Sequence, residues 1–315
     1  AEPTNVVDLS IDQLMQMEVT TAAKKQQKLA ETPSAVYVMS SDDIRRSGAT
    51  TLPELLLTVP GVDGGLINSH TAALSIRGLG GQWSNKLLVL VDGASIYTRT
   101  FSGVYWDSYN LPFEDIERIE VIRGPNAALW GANAVNGVIN IITKPAGTTQ
   151  GTLLRATAGT RGSGDLMGRH GFALGSQGFA RVYASGEQHS EGELHASPHG
   201  AANDDWKARR AGFRADWVLD GGHRLTVNGD AFHLDTHADP LNSTNLPTGV
   251  LPIGSVVDTS AESSGNSLMF NYTHAYAVTS EWSVQLYWKH SERGEFAPLA
   301  EDSLDLDIQH RFQPL

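Results

Sequence analysis

From Gly151 onward the sequence keeps a two-residue period that a helix cannot use. In "ARRAGFRADWVL" the residues Ala211, Phe213, Ala215, Trp217 and Leu219 alternate with Arg210, Gly212, Arg214 and Asp216. In "WSVQLYWKH" the set Trp282, Val284, Leu286 and Trp288 alternates with Ser283, Gln285, Tyr287 and Lys289, and "RVYASGE" repeats the pattern. Successive side chains on a strand point to opposite faces, so each segment presents one greasy face and one strongly polar face. The segments are joined by short turns at "SQG", "DGG" and "VTSE" and by long polar loops at 189–205 and 236–264. Short connections on one edge and long ones on the other fit a β-barrel that crosses a membrane. A water-soluble β-sandwich also alternates, and Trp and Tyr near strand ends suit either an interfacial girdle or a sandwich core. About eight strands can be counted to the C-terminus, where the pattern stops in mid-hairpin.

No stretch reaches the roughly 18 consecutive apolar residues that a spanning helix needs. Gly is abundant, at 32 residues, which favours turns and close backbone approaches over long helices. The net charge is −12, divided as −4 over 1–145 and −8 over 146–315. Neither part offers the clustered Lys and Arg that phosphate backbones require, so a nucleic-acid partner is excluded. The absence of Cys removes disulfides, thiolate metal sites and iron–sulfur clusters. The opening "AEPTNVV" has neither an initiator Met nor a charged-then-apolar leader. It reads as a mature end left by signal cleavage, although a start set by cloning would look the same.

Ahead of the alternating region, Pro33–Lys144 reads as a compact α+β unit. "AVYVM" is a strand; "SSDDIRRSG" is a short helix capped by Ser40 or Ser41. "TLPELLLTVPG" carries a capping box, Thr51 with Glu54. "ALSIRG" and "KLLVLVDGASIY" are strands, the second breaking at Asp92-Gly93. "VINIIT" is apolar at every second residue on both sides and is expected to be covered on both faces. The segment "IERIEVIRGPNAALWGANAVNGVINIITK" joins two strand-like runs through Gly, Asn and Ala, with Arg123 just before the first Gly. Residues before about 35 read as a polar N-terminal arm.

Four stretches of this region, "AVYVMSSDDIRRSGATTLPELLLTVPGV", "LSIRGLGGQWSNKLLVLVDGASIY", "FSGVYWDSYNLPFEDIERIEVIRGP" and "LWGANAVNGVINIITK", resemble the plug domain of TonB-dependent outer-membrane receptors, in the family's order and spacing. The resemblance implies an arm with a TonB box over 1–30, an α+β plug domain over 31–145, and over 146–315 the N-terminal portion of an antiparallel transmembrane β-barrel. Such barrels have about 22 strands around the plug, so about eight strands read as an incomplete barrel. Implied with it are the outer membrane of a Gram-negative bacterium and TonB-dependent uptake of a scarce solute such as a ferric siderophore, haem, cobalamin or other metal chelate. The alternative is a plug-containing fragment that binds and does not transport. Expected partners are TonB of the inner-membrane energising complex, outer-membrane lipid and a small solute or metal chelate; no cofactor is expected.

Residue by residue, the best match to the TonB box is Met17, Glu18, Val19, Thr20, Thr21 and Ala22, an extended Thr/Val-rich segment that can add to a partner's sheet edge. Arg77 in "SIRG" and Arg123 in "VIRG" resemble the arginines that latch the plug to wall carboxylates, with Glu117 and Glu120 as nearer alternatives. Candidate ligand contacts are Asn68, His70, Gln82, Trp83, Phe101, Tyr105, Trp106 and Tyr109, the aromatics serving equally well as plug packing. No G-x-S-x-G, P-loop or H-E-x-x-H motif is present, and no enzymatic activity is expected. His189, His195 and His199 are candidate metal ligands. Pro and Gly there prevent a helix from aligning i and i+4, and loop histidines of this kind are more often solvated, as are His233 and His237.

Overall fold

The computed structural model describes residues 18–21, 27–32, 34–78, 86–99, 103–131, 133–159, 163–192, 202–238, 259–277, 280–294 and 298–312. They divide into two units, one of residues 1–67 and 71–144 and one of residues 68–70 and 145–315.

The first unit opens with the two-residue strands β1 (Glu18–Val19) and β2 (Gln27–Lys28), paired antiparallel. β3 (Ala35–Ser40) leads directly into helix α1 (Ser41–Arg46). Ser40 is the N-cap: Asp43 N donates to its hydroxyl at 3.2 Å and the Asp43 carboxylate accepts from Ser40 N at 2.9 Å. In α2 (Leu52–Leu57) the Glu54 half of the expected box forms, with Oε2 accepting from Thr51 N at 3.3 Å and Thr50 N at 2.9 Å. The helix drives Leu52, Leu55 and Leu56, all fully buried, into the core.

A hairpin of β4 (Val62–Leu66) and β5 (Ala72–Ile76) follows. β6 (Leu87–Val91) turns at Asp92-Gly93 into β7 (Ala94–Ser95), with φ of 48° and 83° at the two turn residues. β8 (Ile116–Arg123), helix α3 (Ala127–Trp130) and β9 (Gly137–Thr143) complete a mixed sheet in the order β3-β8-β9-β6-β7, with β6 and β9 parallel. A register shift between Ile116 and Arg118 places Glu117 at a bulge, so Ile116 joins Ile119 and Val121 on one face despite its odd spacing. That face packs with Ile139, Ile141, Val89 and the α2 leucines. The other face gathers Ile122, Val138, Leu88 and Leu90 with Ala134 and Trp130. Both faces of "VINIIT" are thus covered. At Gly137 a Cβ would lie 2.4 Å from the Ile122 carbonyl oxygen, so the end of the small-residue bridge has no room for a side chain.

The second unit is an eight-stranded antiparallel meander: β10 (Gly151–Ala158), β11 (Gly164–Leu174), β12 (Gly178–His189), β13 (Trp206–Leu219), β14 (His223–Ala238), β15 (Thr259–Ala277), β16 (Ser280–Arg293) and β17 (Leu299–Arg311). The count matches the alternation. Register carries the apolar set across strands as rows: Trp217, Leu225, Tyr272, Val284 and Ile308, then Ala215, Val227, Phe270, Leu286 and Leu306, then Phe213, Gly229, Leu268, Trp288 and Leu304. This face is open: Leu304 is 67% exposed, Leu306 59% and Ile308 58%. From the row of His223 to that of Ala231 is eight residues along β14. That is about 27 Å of strand, and about 20 Å along a bilayer normal at a tilt near 40°. The apolar band of outer-membrane barrels is about 25 Å tall, so the height fits. Among the described residues no helix is long and apolar enough to cross a membrane, which says nothing about strands.

Candidate functional site

The second face of the first unit's sheet carries an incongruous carboxylate. Glu120 sits in the middle of β8, fully buried, directly opposite Asn140 on β9. An isolated buried carboxylate costs several kcal/mol, so its neighbours must supply charge and hydrogen bonds. They come from two sources. Arg118, two residues back on the same face, donates Nε to Glu120 at 2.9 Å and Nη1 to Glu117 at 2.6 Å. The N-terminal segment supplies the rest: Thr20 N donates at 3.1 and 3.0 Å to the two carboxylate oxygens, and Thr21 N donates at 2.7 Å.

Further bonds fix the same two residues. Arg118 Nη2 reaches the Thr20 hydroxyl at 3.2 Å, Asn140 Nδ2 donates to the Thr21 hydroxyl at 3.0 Å, and Trp130 Nε1 donates to the Thr21 carbonyl at 2.9 Å. Val19 and Thr21 are 0% and 1% exposed, as buried as the core leucines. The arrangement is a socket: one carboxylate and one indole hold a short segment by its backbone, and one guanidinium and one amide hold it by its two Thr hydroxyls. Charge-assisted bonds are roughly twice as strong as neutral ones, and a carboxylate accepting from consecutive amides is such a case. Among the described residues the strand pairing of this segment is Glu18 with Lys28 and Val19 with Gln27.

Of the expected TonB-box residues, Met17 and Ala22 lie outside the described residues, Glu18 is described as backbone in β1, and Val19, Thr20 and Thr21 occupy the socket. Glu117 and Glu120 require a correction. Neither partners Arg77 or Arg123, because Arg118 lies closer to both and takes them. Arg77 instead donates to the Arg123 carbonyl at 3.3 Å, and Arg123 donates to the Pro60 carbonyl at 3.3 Å. Arg77 holds a left-handed φ of 62°, and Gly124, at φ 124°, leaves space that a Cβ would fill to 3.4 Å from the Arg77 guanidinium. The residue after Arg123 is a Gly because of its backbone: a φ of 124° is one that side-chain-bearing residues rarely adopt, whereas a Cβ there would meet Arg77 only at ordinary contact distance. Among the described residues neither guanidinium meets a carboxylate.

The ligand candidates separate. Gln82, Trp83 and Phe101 lie outside the described residues. Trp106, 6% exposed, belongs to the core cluster, Tyr109 packs against that cluster, and Tyr105 is half-buried; Trp106 is therefore packing rather than a platform. Asn68 and His70 group with the second unit, where the Asn68 side chain accepts from His70 N at 3.0 Å. Between them, Ser69 N donates to Asp204 at 2.7 Å and Trp206 Nε1 donates to the Ser69 carbonyl at 3.1 Å. His189 stacks flat on Trp206, centroids 4.3 Å apart, and meets Glu187 at 3.2 Å, while His195 and His199 lie outside the described residues. No group of three or more ligating side chains is assembled among the described residues. Arg118, Trp130, Asn140, Asp204 and Trp206 were missed from sequence. For Arg118 and Asn140 a signal existed: Arg118 stands two residues before Glu120 and so shares its face, and Asn140 is the polar interruption of the apolar run of β9.

Comparison with known proteins places this geometry. Residues 28–138 match the family model of the TonB-dependent Receptor Plug Domain. The chain is similar to the vitamin B12 transporter BtuB of Vibrio cholerae, 37% identical over 207 residues, covering 64% of this chain and 32% of that protein. It is also similar to the iron-regulated outer membrane virulence protein of the same species, 34% identical over 225 residues, covering 66% and 32%. The chain therefore spans about a third of the length of these relatives. Among solved structures, the ferripyoverdine receptor of Pseudomonas aeruginosa matches with TM-score 0.70 at 17% identity over 93% of this chain and 41% of that one. The ferric yersiniabactin uptake receptor FyuA from Yersinia pestis matches with TM-score 0.68 at 14% identity over 94% and 47%. These structural likenesses concern the fold.

Proposed function

We propose that the chain is the plug domain of a TonB-dependent receptor followed by antiparallel strands of its barrel, and that this receptor serves energy-coupled uptake of a metal chelate across the outer membrane. Relatives named for vitamin B12 transport and for iron regulation support a chelate as the class of solute. The single observation that carries the reading is the socket around Glu120. A segment meant for permanent attachment would be continuous with the sheet. Here Thr20 and Thr21 lie outside the five-stranded sheet and are held by side chains, their amides spent on one carboxylate.

In this reading Met17–Ala22 is the handle for TonB, parked while no solute is bound. TonB captures it by strand addition, which gives the two amides new backbone acceptors in exchange for Glu120. The parked bonds are few enough for such an exchange and strong enough to keep the handle from straying. Arg77 and Arg123 are a pair of guanidiniums available to carboxylates of the full receptor's wall.

Deleting Met17–Ala22 from the intact receptor is expected to abolish uptake while solute binding by whole cells persists. Loss of binding as well would make the segment part of the plug's architecture and overturn the handle assignment. Growth of a gene-deletion strain on single cobalamin, haem or ferric siderophore sources then identifies the solute.

A further inference from the structure

The apolar face of the eight-stranded sheet ends, on its short-turn side, in a row of nitrogen-bearing rings. Register sets His223 opposite His274, His274 opposite Trp282, and Trp282 opposite His310. His223 and His274 stack with centroids 4.0 Å apart and planes 17° apart, and His310 lies on Trp282 at 3.9 Å and 7°. Two phenols tie the row together: Tyr272 Oη is 2.8 Å from His223 Nδ1, and Tyr276 Oη is 2.8 Å from His310 Nε2. Barrels ordinarily mark this level with Trp and Tyr, amphipathic rings that sit at the headgroups. Here, of the five positions in the row from Leu219 to His310, three are imidazoles.

The histidines on the long-loop half of the sheet are different. His189 meets Glu187 at 3.2 Å, His233 meets Asp235 at 3.3 Å, His237 meets Asp205 at 3.3 Å, and His290 meets Asp302 at 3.0 Å and Glu292 at 3.5 Å. Each has a carboxylate to balance a proton. Among the described residues none pairs with His223, His274 or His310. The charged residues nearest in sequence, Arg224, Glu281 and Arg311, stand on the opposite face, where Glu281 and Arg311 pair at 3.1 Å, and Asp220 lies in the turn before His223. Among the described residues, the titratable groups that face the ladder are its own three imidazoles and the Tyr272 and Tyr276 phenols. An imidazole that gains a proton here meets no protein anion among the described residues. Two of them 4.0 Å apart can both be charged only with an external one, while a charged His310 also meets the π face of Trp282.

We propose that the His223–His274–Trp282–His310 ladder binds the phosphate of an anionic phospholipid in the leaflet on the turn side, and that it does so more tightly as the imidazoles take up protons. The proposal rests on the reading of this sheet as membrane-spanning. The rings supply N–H donors to the phosphate, and the apolar rows beside them, from Tyr272 to Ile308, accept the acyl chain. Proton and lipid binding are then linked: each strengthens the other.

The test uses the intact receptor in phosphatidylcholine vesicles containing brominated phosphatidylglycerol or brominated phosphatidylcholine, with tryptophan quenching as the readout. The two pH values stand either side of about 6.5, the ordinary imidazole midpoint. A several-fold preference for phosphatidylglycerol is expected at the lower pH. It should be lost in the His223→Phe, His274→Phe, His310→Phe triple variant, which keeps a ring at each position. Should the triple variant fail to insert, His274→Phe alone is expected to lose part of the preference. A preference that does not change with pH, or a variant that retains the pH response, overturns the proposal. Excess inorganic phosphate should leave the preference intact; abolition by phosphate would make the site one for the free ion and overturn the lipid assignment. A wild-type receptor that never enters the vesicles defeats the membrane reading, whereas one that enters without pH-dependent preference defeats the ladder alone.

Discussion

The plug sheet and the eight-stranded sheet use the same alternation of side chains and place them in opposite ways. In the plug, Ile119, Val121, Ile139 and Ile141 are sealed on one face, Ile122 and Val138 on the other, and the one carboxylate between them, Glu120, is fully buried. In the eight-stranded sheet the apolar rows are the exposed ones, with Leu154 76% and Leu304 67% open. The polar face instead carries paired charges such as Arg214 with Asp216 at 2.9 Å and Arg155 with Asp165 at 2.8 Å. The first sheet hides its grease on both faces; the second leaves one apolar face open. A contiguous open apolar face of this extent has no place on a soluble monomer. The difference also shows what a buried charge is for. In the plug it recruits a separate piece of chain, whereas in the larger sheet the ion pairs run along or across adjacent strands.

The comparison breaks most visibly at Glu120. If the socket holds the N-terminal segment, Glu120→Ala leaves the Thr20 and Thr21 amides without their acceptor. Loss of one partner from a buried charged cluster costs about 3–5 kcal/mol, nearer the lower figure here because Glu117 still meets Arg118. Each 1.4 kcal/mol is tenfold in an equilibrium, so hydrogen exchange at Thr20 and Thr21 should accelerate by about a hundredfold. Exchange at Ile119, Val121 and Ile139 should stay slow, because those residues pack on the opposite face. Equal acceleration across the whole plug sheet would show that Glu120 supports the fold and not the segment.

A second variant tests the solvent assigned to the larger sheet. Leu306 stands mid-row on the open face, and an Arg at such a depth in a bilayer costs about 2–4 kcal/mol. On a water-exposed strand the same change is worth no more than about 0.5 kcal/mol. Denaturant unfolding of the intact receptor from lipid vesicles, Leu306→Arg against wild type, separates the two. A negligible difference would return the sheet to the soluble sandwich that the alternation alone allowed.

That ambiguity marks how far sequence could reach. Strand number, strand positions and the two-faced character of residues after Gly151 were legible because a period of two leaves few choices. The capping of α1 by Ser40 and the turn at Asp92-Gly93 were legible because each is settled by local chemistry. The socket was half legible. Thr20 and Thr21 were singled out for resembling a handle, but their partner lies about a hundred residues away, and only folding reveals that β8 passes beneath them. Glu120 was noticed for the wrong reason, as a mate for Arg77 or Arg123, although Arg118, two residues before it on the same strand, already shared its face. The ring ladder was invisible because its members, 223, 274, 282 and 310, meet only through register across four strands.

The smallest effect concerns the water-facing economy of the plug and runs through Tyr37 on β3, which packs beside the core. Burial first, and the Asp43 carboxylate second, push its phenol above the ordinary value near 10. The folded plug therefore holds this proton more tightly than the unfolded chain does. Stability from the group is fully present below about pH 10 and declines as pH rises from there through the higher folded value, because only the unfolded chain gains by ionising. Tyr37→Phe has nothing to ionise and should flatten that alkaline decline while leaving stability at neutral pH nearly unchanged. The check is thermal unfolding of the plug in the intact receptor, followed across the alkaline range for both proteins. An unchanged decline in the variant would move its origin away from the Tyr37 face of the sheet. A flattened one would confirm that this face is dry and close to a fixed negative charge, the same combination of burial and charge that, on the opposite face, Glu120 resolves by drawing in the N-terminal segment.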